Sequence, residues 1–173
     1  YDGDTWYLVD TPGHADFSSE MERALSVMDY AVVVVSAVEG VQSHTETVWR
    51  LLESYHVPAF VFLNKIDRAG ADADAVIARI RERLSGDALD LRGAFSADGT
   101  LSGEAVEAVA GGDEALLERY FTDGYDRDAF LESLRRQVKE RRAFPLMAGS
   151  ALRGEGIEDF LNMLSLLTPT DYE

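Results

Sequence analysis

Ala59-Phe60-Val61-Phe62-Leu63-Asn64-Lys65-Ile66-Asp67 is the stretch that decides the fold. A short apolar run ends abruptly in a polar tetrapeptide, which is how a buried strand hands over to a loop. Similar runs stand at Trp6–Asp10, Ala31–Ala37 and Phe144–Gly149. Within the second, Val32-Val33-Val34-Val35 is β-branched throughout and lacks polar alternation, as expected of a parallel strand covered on both faces. Amphipathic segments separate these runs, so the chain reads as α/β.

The helical segments have their own punctuation. Phe17, Met21, Ala24, Leu25 and Met28 share one face of the first. Ser43 and Glu46 have capping-box spacing ahead of Val48, Leu51, Leu52 and Tyr55. A third helix opens on Asp72 and Asp74, closes on Arg79, Arg81 and Arg83, and buries Val76, Ile77, Ile80 and Leu84. Both ends thus suit the helix dipole. Between Gly86 and Gly112 the periodicity dissolves into Gly, Ala, Asp and Ser, which predicts a partly ordered insertion. Helices are expected again over Asp113–Phe121, Asp126–Arg142 and Ile157–Leu167.

The chain has 173 residues, with 16 Lys+Arg against 32 Asp+Glu and a net charge of −16. Hydrophobic residues make up 46% and charged residues 28%, an ordinary globular composition that excludes wholesale disorder. Cysteine is absent, which removes disulfide frameworks, thiolate metal sites and thiol nucleophiles. No apolar run approaches the roughly 18–20 residues of a membrane span, and no secretory leader is recognisable. The acidity argues against broad nucleic-acid binding. These features predict a soluble, cytoplasmic domain. Tyr1 stands in the turn sequence Asp2-Gly3-Asp4, and Thr168 to Glu173 reads as linker, so both ends are expected to be cuts in a longer protein.

Three segments fall where an α/β sheet places its ligands, just past the carboxyl ends of strands: Asp10-Thr11-Pro12-Gly13-His14, Asn64-Lys65-Ile66-Asp67 and Gly149-Ser150-Ala151-Leu152. The second has a definite chemistry. A carboxylate at Asp67 can accept both N1–H and a 2-amino hydrogen of guanine, whereas adenine presents a lone pair at N1. Sites that hydrogen-bond a ligand group reject analogues lacking it by about 10⁴–10⁵. Asn64 can brace the loop and reach the base, and the Lys65 stem can lie over the ring with its ammonium in water. Backbone N–H groups of Ser150, Ala151 and Leu152 are candidates for guanine O6. Asp10, after an apolar run, resembles a Walker-B carboxylate that holds Mg²⁺ directly or through water. Gly13 admits a γ-phosphate close to the backbone, and His14 is placed to orient the attacking water. His44 and His56 have no metal-ligand spacing and read as structural. Nor is there a Ser-His-Asp order to support a covalent intermediate. Asn64 to Asp67 alone is a weak signal, expected by chance in roughly 2% of chains this long. All three segments in order are specific.

These segments resemble the guanine-nucleotide motifs of translational GTPases. Asp16-Phe17-Ser18 with Glu22-Arg23, Gly40-Val41-Gln42, Glu46 to Arg50, and Asn64 through Ala71 are similar to elongation factor G and the ribosomal-protection proteins of tetracycline resistance. Gly111 to Tyr120 leans toward the protection branch. The resemblance covers Tyr1–Leu84 and Asp113–Thr170. It implies a P-loop-NTPase-like, mostly parallel sheet flanked by helices, a distal GTP-binding domain over residues 1–85 and 113–170, an inserted subdomain or loop over 86–112, and a linker from 171. It further implies GTP or GDP with Mg²⁺, the ribosome (rRNA and ribosomal proteins) as partner of the intact protein, and no membrane or DNA partner.

One departure stands out. No G-x-x-x-x-G-K-S/T phosphate cradle exists, and the two lysines, Lys65 and Lys139, do not follow glycine. The switch segment that supplies a Mg²⁺-coordinating Thr is also missing. In the family the cradle leaves the first strand, which sits between the strands matching Trp6–Asp10 and Ala31–Ala37. The chain is therefore expected to lack the first strands, to leave a gap in the sheet, and to recognise guanine while holding triphosphate badly. The alternative is a non-catalytic binding module that keeps the fold.

Overall fold

The computed structural model describes Tyr1, Gly3, residues 5–11 and residues 18–169, with side chains of the last segment from Met21 onward. The elements run α1 (Ser18–Leu25), β1 (Ala31–Ser36), α2 (Ser43–Ser54), β2 (Ala59–Asn64), α3 (Ala73–Arg83), β3 (Ala88–Asp90), α4 (Glu104–Gly111), α5 (Glu114–Asp123), α6 (Arg127–Lys139), β4 (Phe144–Ala148) and α7 (Ile157–Leu167). The four strands form one parallel sheet in the order β1-β2-β4-β3. Ser36 pairs with Asn64 and Leu63 with Ala148, so the polar ends of β1, β2 and β4 reach the same rim.

Strand alternation sorts the core into two layers. Phe60 and Phe62 of β2, with Met147 of β4, face a cluster built by α4 to α7 that includes Phe130, Leu134, Phe160 and Met163. Val61 and Leu63, with Val33, Val35 and Leu146, face the other side, against Trp49, Leu52, Val76, Ile77 and Ile80 of α2 and α3. Asp72, Asp113 and Asp126 cap α3, α5 and α6 by accepting backbone N–H groups of Ala75, Leu116 and Ala129. The cap of α2 differs from the Ser43/Glu46 expectation. Gln42 is its N-cap, and Thr45 Oγ1 accepts the Gln42 N–H at 3.3 Å.

Two strand expectations need correction. Trp6–Asp10 forms no strand: Tyr7 and Leu8 are 92% and 94% exposed on a segment without regular structure. Apolar sequence makes a strand only when a neighbour satisfies its N–H and C=O groups. Among the described residues, no strand lies on the outer edge of β1 to provide that ladder. Nor is β1 covered on both faces. Val33 and Val35 are buried, while Val32 and Val34 are 43% and 58% exposed.

Residues 86–112 hold β3, a Phe95–Leu101 bridge and α4. Leu89, Leu91, Leu101, Val106 and Val109 all enter the Phe60/Phe62 core. Leu101 N–H donates to Tyr125 Oη at 2.8 Å, tying this segment to the start of α6.

Candidate functional site

The site is built where β2 and β4 end side by side. β2 delivers Asn64 to the rim, and the chain turns at once through Lys65, whose φ is +67°. Asn64 Oδ1 stabilises that turn by accepting the Lys65 N–H at 2.8 Å, and it also accepts the Ala151 N–H at 3.0 Å. Backbone bonds from Ile66 N–H to Gly149 O and from Gly149 N–H to Leu63 O complete the junction. The structure thus brings the Asn64–Asp67 and Gly149–Leu152 loops into direct contact.

Two glycines make the second loop possible. A Cβ at Gly149 would stand 2.1 Å from Glu155 O, and one at Gly156 would stand 2.4 Å from Ala148 O. Gly156 also has a φ of +72°, a conformation that L side chains rarely adopt. The loop can therefore fold back on itself, with Ser150 N–H donating to Glu155 O at 3.0 Å and Glu155 N–H to Ser150 O at 3.1 Å.

These bonds alter the expected O6 donor set. The Ser150 amide is committed to Glu155 O and the Ala151 amide to Asn64 Oδ1. Among the described residues, only the Leu152 N–H of the three has no acceptor. The Leu152 side chain itself is 79% exposed.

Asp67 lies sunken in the same junction, its side chain only 7% exposed. Its carboxyl is held below the ordinary carboxylate value, first by the neighbouring Ser150 hydroxyl, against the opposing effect of desolvation. Its own backbone and the charges of Arg153 and Arg68 add to the lowering. Arg153 Nε stands 3.1 Å from Asp67 Oδ2. Lys65 Nζ stands 3.9 Å from Glu39 Oε2. On the Glu39 side of Lys65 a pocket of about 250 Å³ opens at the ends of β1 and β2, lined by Ser36, Glu39, Gln42, Thr45, Asn64 and Lys65. Ser36 Oγ accepts the Val38 and Glu39 N–H groups and shapes its floor.

Of the first expected segment, only Asp10 and Thr11 belong to the described residues. Both lie outside the sheet, with Asp10 exposed. Pro12, Gly13 and His14 lie outside the described residues. Among the described residues no three His, Asp or Glu side chains converge. His44 is partly buried and His56 sits at a turn with a φ of +53°. Sequence reasoning missed Arg153 and Glu39, the ionic partners of Asp67 and Lys65. Each is a lone charged residue in a loop, and only the folded junction shows what it faces.

The Elongation factor Tu GTP binding domain family matches residues 1–170. An oxytetracycline resistance protein of Streptomyces rimosus is 39% identical over 94% of this chain and 27% of its own length. The tetracycline resistance protein TetP of Clostridium perfringens is 33% identical over 90% of this chain and 26% of its own length. A crystal structure of a Thermus thermophilus protein superposes with a TM-score of 0.80 at 26% identity, over 93% of this chain and 30% of that one. The chain spans about a quarter of the length of the curated relatives it matches. No described helix is long and apolar enough to cross a membrane.

Proposed function

We infer the function from one premise: this chain belongs to the elongation factor Tu GTP-binding domain family. It is a translational GTPase domain related to the tetracycline-resistance proteins it resembles. Its own role is to read the guanine base. The observation that carries this reading is the single Asn64 Oδ1 that ties the Lys65 and Ala151 amides together beside a sunken, ionised Asp67. Asp67 accepts N1–H and the 2-amino group, Lys65 covers the ring, and the Leu152 amide reaches for O6.

In the reading that follows, residues 1–85 and 113–170 are the distal part of a GTP-binding domain, 86–112 is a subdomain set into it, and 171–173 begins a linker. Asp10, Thr11, Pro12 and Gly13 contact the phosphates, and His14 positions the water that attacks GTP. Asp10 is the candidate Mg²⁺ ligand. The ribosome is the partner in the whole protein, in the cytoplasm, with rRNA and ribosomal proteins contacted through that larger assembly. One observation favours a second reading, a non-catalytic module that keeps the fold: the Trp6–Asp10 segment stands clear of the sheet.

Titrating the chain with GDP and Mg²⁺, with ADP as control, tests the base reading. Guanine-selective binding is expected, weak because no phosphate cradle is present. Equal response to both nucleotides would overturn it.

A further inference from the structure

Arg153 occupies the tip of the 150–156 loop. Its own N–H donates to Ser150 O at 3.1 Å, and the Ser150–Glu155 pair closes the loop beneath it. From this fixed backbone its side chain reaches Asp67, with Nε 3.1 Å from Oδ2. The two partners are unlike. Asp67 is 7% exposed and anchored in the junction, whereas the Arg153 side chain is 61% exposed. The carboxylate is thus a fixed acceptor, and the guanidinium is a cover with water on its other side. Among the described residues, Arg153 is the one ionic contact that Asp67 makes.

A guanine base needs the same atoms. Its N1–H and 2-amino hydrogens are donors aimed at the carboxylate, as the guanidinium N–H groups are. We propose that Arg153 is an internal competitor for Asp67, a specificity-determining side chain that holds the base-reading carboxylate until guanine displaces it. The inference rests on the guanine reading of this site. It follows that a base must bring donors of its own to enter. Adenine, with a lone pair at N1, cannot replace what the guanidinium supplies to the carboxylate. An ion pair whose guanidinium is mostly in water is a weak contact, so the hold is one that guanine can overcome.

The test is a titration of this chain with uncharged guanosine, read by NMR shifts, for the wild type, Arg153→Ala, Arg153→Lys and Asp67→Asn. Adenosine and xanthosine serve as controls. Arg153→Ala is expected to bind guanosine about threefold tighter, the size of an ion pair with one partner in water. Arg153→Lys, which keeps the charge, should return toward the wild type. Raising salt screens the competing pair, so wild-type guanosine binding should strengthen with salt while that of Arg153→Ala stays flat. A merely structural Arg153 would not produce that salt response. If Asp67→Asn switches preference to xanthosine but Arg153→Ala binds guanosine no better than the wild type, the competitor role is overturned and the guanine reading stands. If Asp67→Asn binds guanosine as the wild type does, or if no variant binds it at all, the reading fails and the inference fails with it.

Discussion

Asn64 Oδ1 accepts the Ala151 N–H at 3.0 Å across 87 residues of chain, while holding the Lys65 N–H of its own turn at 2.8 Å. One carbonyl oxygen thus joins the Ile66–Gly149 and Gly149–Leu63 backbone bonds in setting the loop that carries Asp67 against the loop that carries Ser150. The parallel pairing of β2 with β4 brings the two strand ends together, and Asn64 converts that proximity into a fixed geometry.

Asn64→Ala should release both amides at once. Each is a single hydrogen bond, worth about 1 kcal/mol net, so the expected loss is about 1–2 kcal/mol in urea unfolding. Guanosine binding should fall by more than the stability change accounts for, because Asp67 and the second loop are no longer held in register. A variant with normal stability and normal guanosine affinity would remove Asn64 from the site.

Asp67→Asn should exchange the base preference. The amide donates to the 2-oxo group of xanthine, where the carboxylate accepted from the 2-amino group of guanine. Competition between guanosine and xanthosine should therefore reverse. Persistence of guanine preference would show that Asp67 does not read the base.

The Asp67 carboxyl is held below its ordinary value of 3.8, chiefly by the Ser150 hydroxyl. A carboxylate with a depressed folded-state pKa stabilises the fold fully above the unfolded value. That contribution disappears as pH falls through the lower folded value. Ser150→Ala should move the Asp67 titration up toward 3.8, and a carboxyl NMR titration of both proteins reads this directly. An unshifted Asp67 in the variant would separate the two groups.

Gly149→Ala should be among the more damaging single changes in the site, since the new methyl meets Glu155 O and the Phe62 ring edge. Forced repacking of this kind costs about 1–3 kcal/mol. Thermal unfolding should show the loss, and the loop that carries Ser150 and Arg153 should shift in its amide spectrum. A silent substitution would mean that the β4–α7 junction yields easily.

His14→Ala belongs to the whole-protein level. On the proposed reading, it should slow ribosome-stimulated GTP hydrolysis far more than it weakens nucleotide binding, in a protein where a phosphate cradle precedes this domain. Equal losses in both would make His14 structural.

The sequence by itself determined the α/β class, the three longer strands of the sheet and the residues of the Asn64–Asp67 and Gly149–Leu152 loops. These are local facts. An apolar run of β-branched and aromatic residues must be buried, and a polar motif at its end must sit at the rim. The tertiary structure alone decided which runs find a ladder. Trp6 to Val9 is an apolar run too, yet it forms no strand, because a strand depends on hydrogen bonds to a neighbour that its own sequence cannot supply. It also decided that Leu89 and Leu91 lie beside β4 in the core, in a stretch with no periodicity to read. Last, it set Arg153 against Asp67 and Glu39 near Lys65. Long-range charge pairs depend on where loops meet in space, and no spacing along the chain encodes that.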